Sequence, residues 1–166
     1  MSMIEPKKIQ YIDGDVRSPV GDGNKIICHC CNDIGKMGAG VALAIAQKWP
    51  QVKQDYIKWH GTKSFKLGAV QFVSVEDNLR VCNIIGQHDI GKSGTDGKPP
   101  VRYSALSKAL VRVWDVASLH PISSVHCPYL MGCVRAGGKW EIIEELLEGH
   151  LASQGIEVYV YKYDKG

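Results

Sequence analysis

No run of this chain approaches the ~20 consecutive apolar residues that a membrane-spanning helix needs, so a helical membrane protein is not expected. A concentrated basic stripe is missing too. The formal charge is only +3 and the lysines are scattered, with small groups at Lys7-Lys8 and at Lys162 and Lys165. Proteins that grip duplex nucleic acid normally crowd Lys and Arg onto one face, so no duplex partner is expected. The opening residues, Met1-Ser2-Met3-Ile4-Glu5-Pro6, hold no apolar core of the secretory type. Repeats, low-complexity stretches and long linkers are equally lacking. A length of 166 residues leaves room for one domain with a real core and not for two comfortable ones. The expectation is one domain over residues 1–166, acting as a monomer.

Cysteine is not scarce. There are six, and Cys28, Cys30, Cys82 and Cys127 sit inside apolar runs, where a reduced thiol behaves as a small hydrophobe. Without a secretory signal, reduced thiols and a cytoplasmic location are expected. Cys28-His29-Cys30-Cys31 has the residue types of a metal site. Neighbouring strand residues point to opposite faces, however, so these side chains cannot converge on one tetrahedral ion. Neither a metal nor a cofactor is expected.

Apolar periodicity orders the rest. Residues 8–13 read as a strand stopped by Asp13-Gly14-Asp15, and residues 25–30 as a buried strand. From Gly40, apolar positions recur at about 3.6 residues until Pro50, and a second helix is expected over residues 51–60. Residues 70–75 and 79–85 are rich in β-branched side chains and flank Glu76-Asp77-Asn78, a hairpin turn. Three glycines and two prolines make residues 90–100 a long loop. Leu106, Leu110, Val113 and Ala117 mark a helix over residues 104–119, and residues 124–128 a short buried strand. Trp140, Ile143, Leu147 and Leu151 mark a last helix that Gly155 should cap, before a strand over residues 157–162. Strands and helices alternate around one hairpin. The predicted fold class is therefore α/β, a three-layer α/β/α sandwich about a central mixed β-sheet, with its crevice at the carboxyl ends of the central strands.

One segment carries chemistry on this frame. NDIGKMGAG, residues 32–40, lies between the buried strand and the first helix. A strand running through a glycine-bearing loop into a helix aims backbone N–H groups and the positive helix end at an anion, here a phosphate or diphosphate. A second glycine-bearing loop, residues 132–138, also follows a strand end. No G-K-[ST] closes the first loop, and glycines at 35, 38 and 40 lack the G-x-G-x-x-G spacing. Triphosphate hydrolysis and the dinucleotide fingerprint are both disfavoured.

The order of three motifs resembles a macrodomain, the ADP-ribose-binding module. They are Gly14-Asp15-Val16, then Asn32 with Met37-Gly38-Ala39-Gly40-Val41, then Gly132-Cys133-Val134-Arg135-Ala136-Gly137-Gly138-Lys139-Trp140. The likeness runs over about residues 9–163. It is closest to the compact branch that includes terminal ADP-ribose protein glycohydrolase and the ADP-ribose 1″-phosphate phosphatases, which Ile84-Ile85-Gly86-Gln87 and Val101-Arg102-Tyr103-Ser104-Ala105-Leu106 also resemble.

The resemblance implies ADP-ribose or a derivative as ligand, free or linked to a macromolecule. Asp15, with Val16 beside it, would accept the adenine amino group, and Tyr163 would lie against the base. By residue type alone Asp15 also fits a turn or helix cap, and Tyr163 a surface tyrosine. Met37, Gly38, Ala39, Gly40 and Val41 would hold the diphosphate. Gly132, Cys133, Val134, Arg135, Ala136 and Gly137 would close over it from the other side. Asn32 would meet the distal ribose, since an amide both donates and accepts; a capping asparagine is the alternative. Trp140 is expected in the core.

The same resemblance implies a reaction and withholds the best-known routes to it. The glycohydrolase branch uses a lysine and an aspartate where this chain has Gln87 and Ala136, so Gln87 is retained as a ligand contact. Another de-ADP-ribosylating branch has an aspartate where this chain has Ala42. The phosphatase branch has a histidine three residues before the loop asparagine, as His29 is here. His29, Asn32 and Asp33 are the catalytic candidates, with His88 as a further proton-handling group, because an imidazole titrates near working pH. A hydrogen-bonded core histidine is the alternative for His29. The expected activity is hydrolysis at the distal ribose, with ADP-ribose 1″-phosphate as substrate. A non-catalytic ADP-ribose reader and removal of ADP-ribose from protein or nucleic acid are the other two readings.

Overall fold

The computed structural model describes residues 4–90, 97–120 and 123–163. Strand β1 (Gln10–Asp13) and strand β2 (Asn24–Asn32) are followed by helices α1 (Gly40–Lys48) and α2 (Pro50–His60). The hairpin strands β3 (Val70–Glu76) and β4 (Leu79–Gln87) precede helix α3 (Tyr103–Leu119) and strand β5 (Ser123–Pro128). Helix α4 (Trp140–His150) and strand β6 (Glu157–Lys162) complete the order.

The six strands form one sheet in the order β1-β6-β5-β2-β4-β3. All neighbours are parallel except β3, which runs antiparallel to β4 at one edge. A central parallel strand is covered on both faces and so needs apolar residues in both directions. β2 meets that demand by alternation. Ile26 and Cys28 pack towards α3 and α4, while Ile27 and Cys31 pack towards α1 and α2. Neighbouring β4 repeats the pattern, with Cys82 and Ile84 on the first side and Val81 and Ile85 on the second. The result is the three-layer α/β/α sandwich read from the sequence. Among the described residues no helix is long and apolar enough to cross a membrane.

Several boundaries depart from the sequence reading, among them β1, which begins at Gln10, and β4, which runs to Gln87, and three of the departures have a clear local reason. β2 runs on through Cys31 and Asn32, because pairing with β4 continues past a register shift to Gln87. Pro50 both follows α1 and opens α2, since the first helical position has no use for an N–H. Gly155 does not cap α4. That helix stops at His150, and Gly155, at φ 88°, caps the short 3-10 turn Ala152–Gln154. Of the loop expected over residues 90–100, residues 91–96 lie outside the described residues.

Two histidines are sealed in this core. His29 is 1% exposed, and its Nε2 donates to Asn83 Oδ1 at 2.5 Å. His126 is fully buried between Ser124 Oγ and the Tyr161 hydroxyl, each at 2.7 Å. Burial holds the His29 ring down at about 4, and burial together with Lys25 holds His126 at about 3. An unfolded histidine titrates near ~6.5, so between that pH and these values the unfolded chain binds more protons than the folded one. The stability from keeping both rings neutral is therefore complete above about pH 6.5 and is lost as pH falls towards 4 and 3. From pH 7 to pH 5 each ring is expected to remove roughly 2 kcal/mol from the unfolding free energy. Urea unfolding at the two pH values measures the drop, and His126→Gln should abolish about half of it.

Candidate functional site

A cavity of about 970 Å³ opens at the carboxyl ends of the central strands, with Asn32, Gln87 and Pro128 at its floor. The first wall is residues 36–42 and the second residues 129–136, and Ile90 also lines the cavity. Every member of the two motif loops from Met37 to Val41 and from Gly132 to Ala136 lies on this lining.

The first wall is built outward from Asn32. Its side-chain Oδ1 accepts the Ile34 and Lys36 amides, both at 3.1 Å, and its Nδ2 donates to the Lys36 carbonyl at 2.6 Å. That pattern bends the chain sharply off β2 and buries Met37 at 3% exposure, which anchors the loop before α1. Helix α1 then begins without a side-chain cap: Ala39 is its N-cap, and no acidic residue occupies its first turn. The first N–H groups of a helix have no partner within it. Here they end at the cavity, together with the positive end of the helix dipole.

The second wall is held by its own backbone. Met131 N donates to Pro128 O, Cys133 N to Leu130 O, Gly137 N to Cys133 O and Gly138 N to Gly132 O. A Cβ on Gly138 would stand 2.6 Å from the Gly132 carbonyl, so only glycine permits this fold-back. The loop throws Arg135 across the cavity. A Cβ placed on Gly40 would lie 3.4 Å from Arg135 Nε. Among the described residues Arg135 makes no ion pair, and no carboxylate lines the cavity. Lys36 adds a second cation. Uncapped amides on one side and a guanidinium on the other make a site for a doubly charged anion.

The remaining candidates are placed differently. His29 is on the cavity lining, but its ring is only 1% exposed, bonded to Asn83 and held neutral at physiological pH by burial. Cys30 offers no thiolate either, since burial pushes it up to about 12. Asp33 is outside the lining and works as a clip: Oδ2 meets His88 Nδ1 at 2.7 Å, and Oδ1 accepts the Asp89 amide at 2.8 Å. Val16 is buried in the core facing α1 and α2. Gly137 lies just past the lining, and Trp140 packs with Tyr11 and Tyr129 in a cluster of edge-on rings.

Asp15 and Tyr163 follow the ends of paired strands β1 and β6, also outside the lining. Asp15 accepts the Arg17 amide at 2.9 Å and a forked contact from its guanidinium, closest at 2.7 Å. Arg17 holds the Asp15 carboxyl below the usual range, and the guanidinium also reaches Tyr163. Three Arg17 N–H groups thus meet the two carboxylate oxygens, with the Nε–H shared between them. The sequence reading assigned no role to Lys36 inside the first glycine-bearing loop, and it passed over Pro128, Tyr129, Leu130 and Met131, which line the cavity outside both loops.

Known structures share this architecture. A protein of unknown function from Bacteroides thetaiotaomicron superposes with a TM-score of 0.89 at 44% identity, over 93% of this chain and 98% of that one. A macrodomain protein from Streptomyces coelicolor gives 0.80 at 42% identity, over 96% of this chain and 100% of that one. DarTG of Thermosipho africanus, in complex with ADP-ribose, shares the fold at 18% identity and a TM-score of 0.71, over 95% of this chain and 42% of that one. Among curated proteins, chromodomain-helicase-DNA-binding protein 1-like of Danio rerio is 30% identical over 167 residues, 95% of this chain. The chain spans only 16% of that protein and 18% of its Mus musculus counterpart. An ADP-ribose 1″-phosphate phosphatase of Lodderomyces elongisporus is 29% identical over 72 residues, 42% of this chain and 44% of that protein. No family model matches the chain.

The geometry generates a test that needs no organic ligand. Inorganic pyrophosphate titrated by calorimetry should bind, and Arg135→Gln should weaken it by about tenfold, the scale of one charge-assisted hydrogen bond. Unchanged affinity would mean that the guanidinium does not face the anion.

Proposed function

The chain belongs to the macrodomain family, and from that premise we propose that the cavity binds ADP-ribose. One observation carries the reading: the uncapped amide end of α1 and the Arg135 side chain approach each other across a cavity with no carboxylate among its described lining residues. A diphosphate supplies the two negative charges that this arrangement lacks. The depth of the cleft and its largely apolar walls suit a ligand with sugars on both sides of the charge. The base would lie towards Asp15 and Tyr163, displacing the Arg17 fork, and the distal ribose towards Asn32. The DarTG complex supports the choice of ligand, as ADP-ribose is what that fold-mate holds.

Binding without turnover is the form of this proposal that the geometry favours. Hydrolysis by general acid–base catalysis needs a group that carries a proton near neutral pH. His29 stays neutral down to about 4, and its Nε2–H is already donated to Asn83. Gln87 cannot form a Schiff base, and Ala136 cannot act as a base. Phosphate release from ADP-ribose 1″-phosphate is the second reading, supported by the likeness to the Lodderomyces elongisporus phosphatase over 72 residues. In that reading the two loops would act by electrostatic stabilisation.

Calorimetry with ADP-ribose, run beside turnover assays on ADP-ribose 1″-phosphate, O-acetyl-ADP-ribose and ADP-ribosylated protein, tests both. Micromolar binding with no product from any substrate is the expected result. A chain that binds pyrophosphate but gains nothing from the rest of ADP-ribose would sink the proposal. Phosphate release that vanishes in Arg135→Ala and survives in His29→Gln would establish the second reading in its electrostatic form.

A further inference from the structure

We propose that helix α2 is the template that sets the anion-binding loop, with the Tyr56 hydroxyl as its positioning group. The inference rests on the reading of residues 32–40 as that loop, and nothing in the motif itself points to α2. Tyr56 is a fully buried side chain whose ring packs beside Phe65 with centroids 5.6 Å apart. Its hydroxyl lies 2.5 Å from the Asn32 carbonyl and 2.8 Å from Asn32 Oδ1, with the Gly35 amide alongside. One oxygen from another helix thus meets both the backbone and the side chain of the residue where β2 ends.

The arrangement propagates forward. Asn32 Oδ1, met by Tyr56, is the same atom that accepts the Ile34 and Lys36 amides. A second contact from α2 acts three residues along the loop. Gly35 has φ +77°, and a Cβ there would stand 2.7 Å from the His60 ring, at the end of α2. His60 is itself braced edge-on against Phe65, centroids 5.0 Å apart. Tyr56 and His60, one turn apart on one helix face, therefore shape residues 32–36. Residues 37–40 follow with no side-chain cap of their own, so their direction into the cavity is inherited from that bend. Neither Tyr56 nor His60 lines the cavity, which makes both positioning residues.

Tyr56→Phe removes the hydroxyl and keeps the ring. The expected result is faster amide hydrogen exchange at residues 34–38 and an ADP-ribose affinity about tenfold weaker, the scale of one lost buried hydrogen bond. His60→Ala, at an exposed position, should speed exchange around Gly35 without unfolding risk. Val52→Ala is the control: it empties core volume on the same helix, where Val52 is fully buried. It should lower Tm at least as far as Tyr56→Phe yet leave loop exchange and affinity within about twofold. Unchanged exchange at residues 34–38 in Tyr56→Phe would overturn the inference, as would an equal affinity loss in Val52→Ala. If the wild-type protein binds no ADP-ribose, the functional proposal fails while the exchange measurements still decide the role of Tyr56.

Discussion

At residue 32 the chain leaves a nine-residue strand buried on both faces, and the amide of Asn32 decides where it goes next. Two backbone amides, one carbonyl and the Tyr56 hydroxyl meet that single side chain. Everything downstream follows from it: the burial of Met37, the bare start of α1 and the aim of its amides into the cleft. A buried strand end cannot leave such groups unpaired, because each would forfeit its hydrogen bonds to water. The polar knot is therefore a condition of ending β2 where it ends, and the anion site is built on it.

Charge in the cleft is one-sided by construction. Acidic side chains near the site are engaged elsewhere, Asp15 by Arg17 and Asp33 by His88 and the Asp89 amide. Lys36 and Arg135 face the cavity together with a helix dipole. Such an arrangement is suited to holding negative charge. The same burial that makes His29 and Asn83 good core partners removes the imidazole from service, since desolvation disfavours the protonated ring.

Much of the fold was legible in the chain. The apolar runs of β2 and β4 and the periodic apolar positions of α3 map directly onto elements, and the hairpin turn lies at Asp77-Asn78, with Glu76 ending β3. Legibility failed where a residue had two possible partners. Gly155 fits a helix cap by type, and a 3-10 turn took it. Asp15 fits a base acceptor by position, and the contact it receives from the Arg17 guanidinium two residues on could not be read from the sequence. Tyr56 carried no signal at all, because a tyrosine on an amphipathic helix looks like core until its hydroxyl is seen against the end of a distant strand.

By itself the sequence determined the layers, the mixed sheet and the two glycine-bearing loops, because each depends on local periodicity or on backbone freedom at single residues. Only the tertiary structure decided which groups face the cleft and which are spent inside the protein. Hydrogen-bond partners such as His29 with Asn83, or Tyr56 with Asn32, join residues 54 and 24 positions apart. No spacing rule encodes such pairs. They exist because parallel strands and their covering helices bring those positions together, and burial then compels each polar group to find a partner.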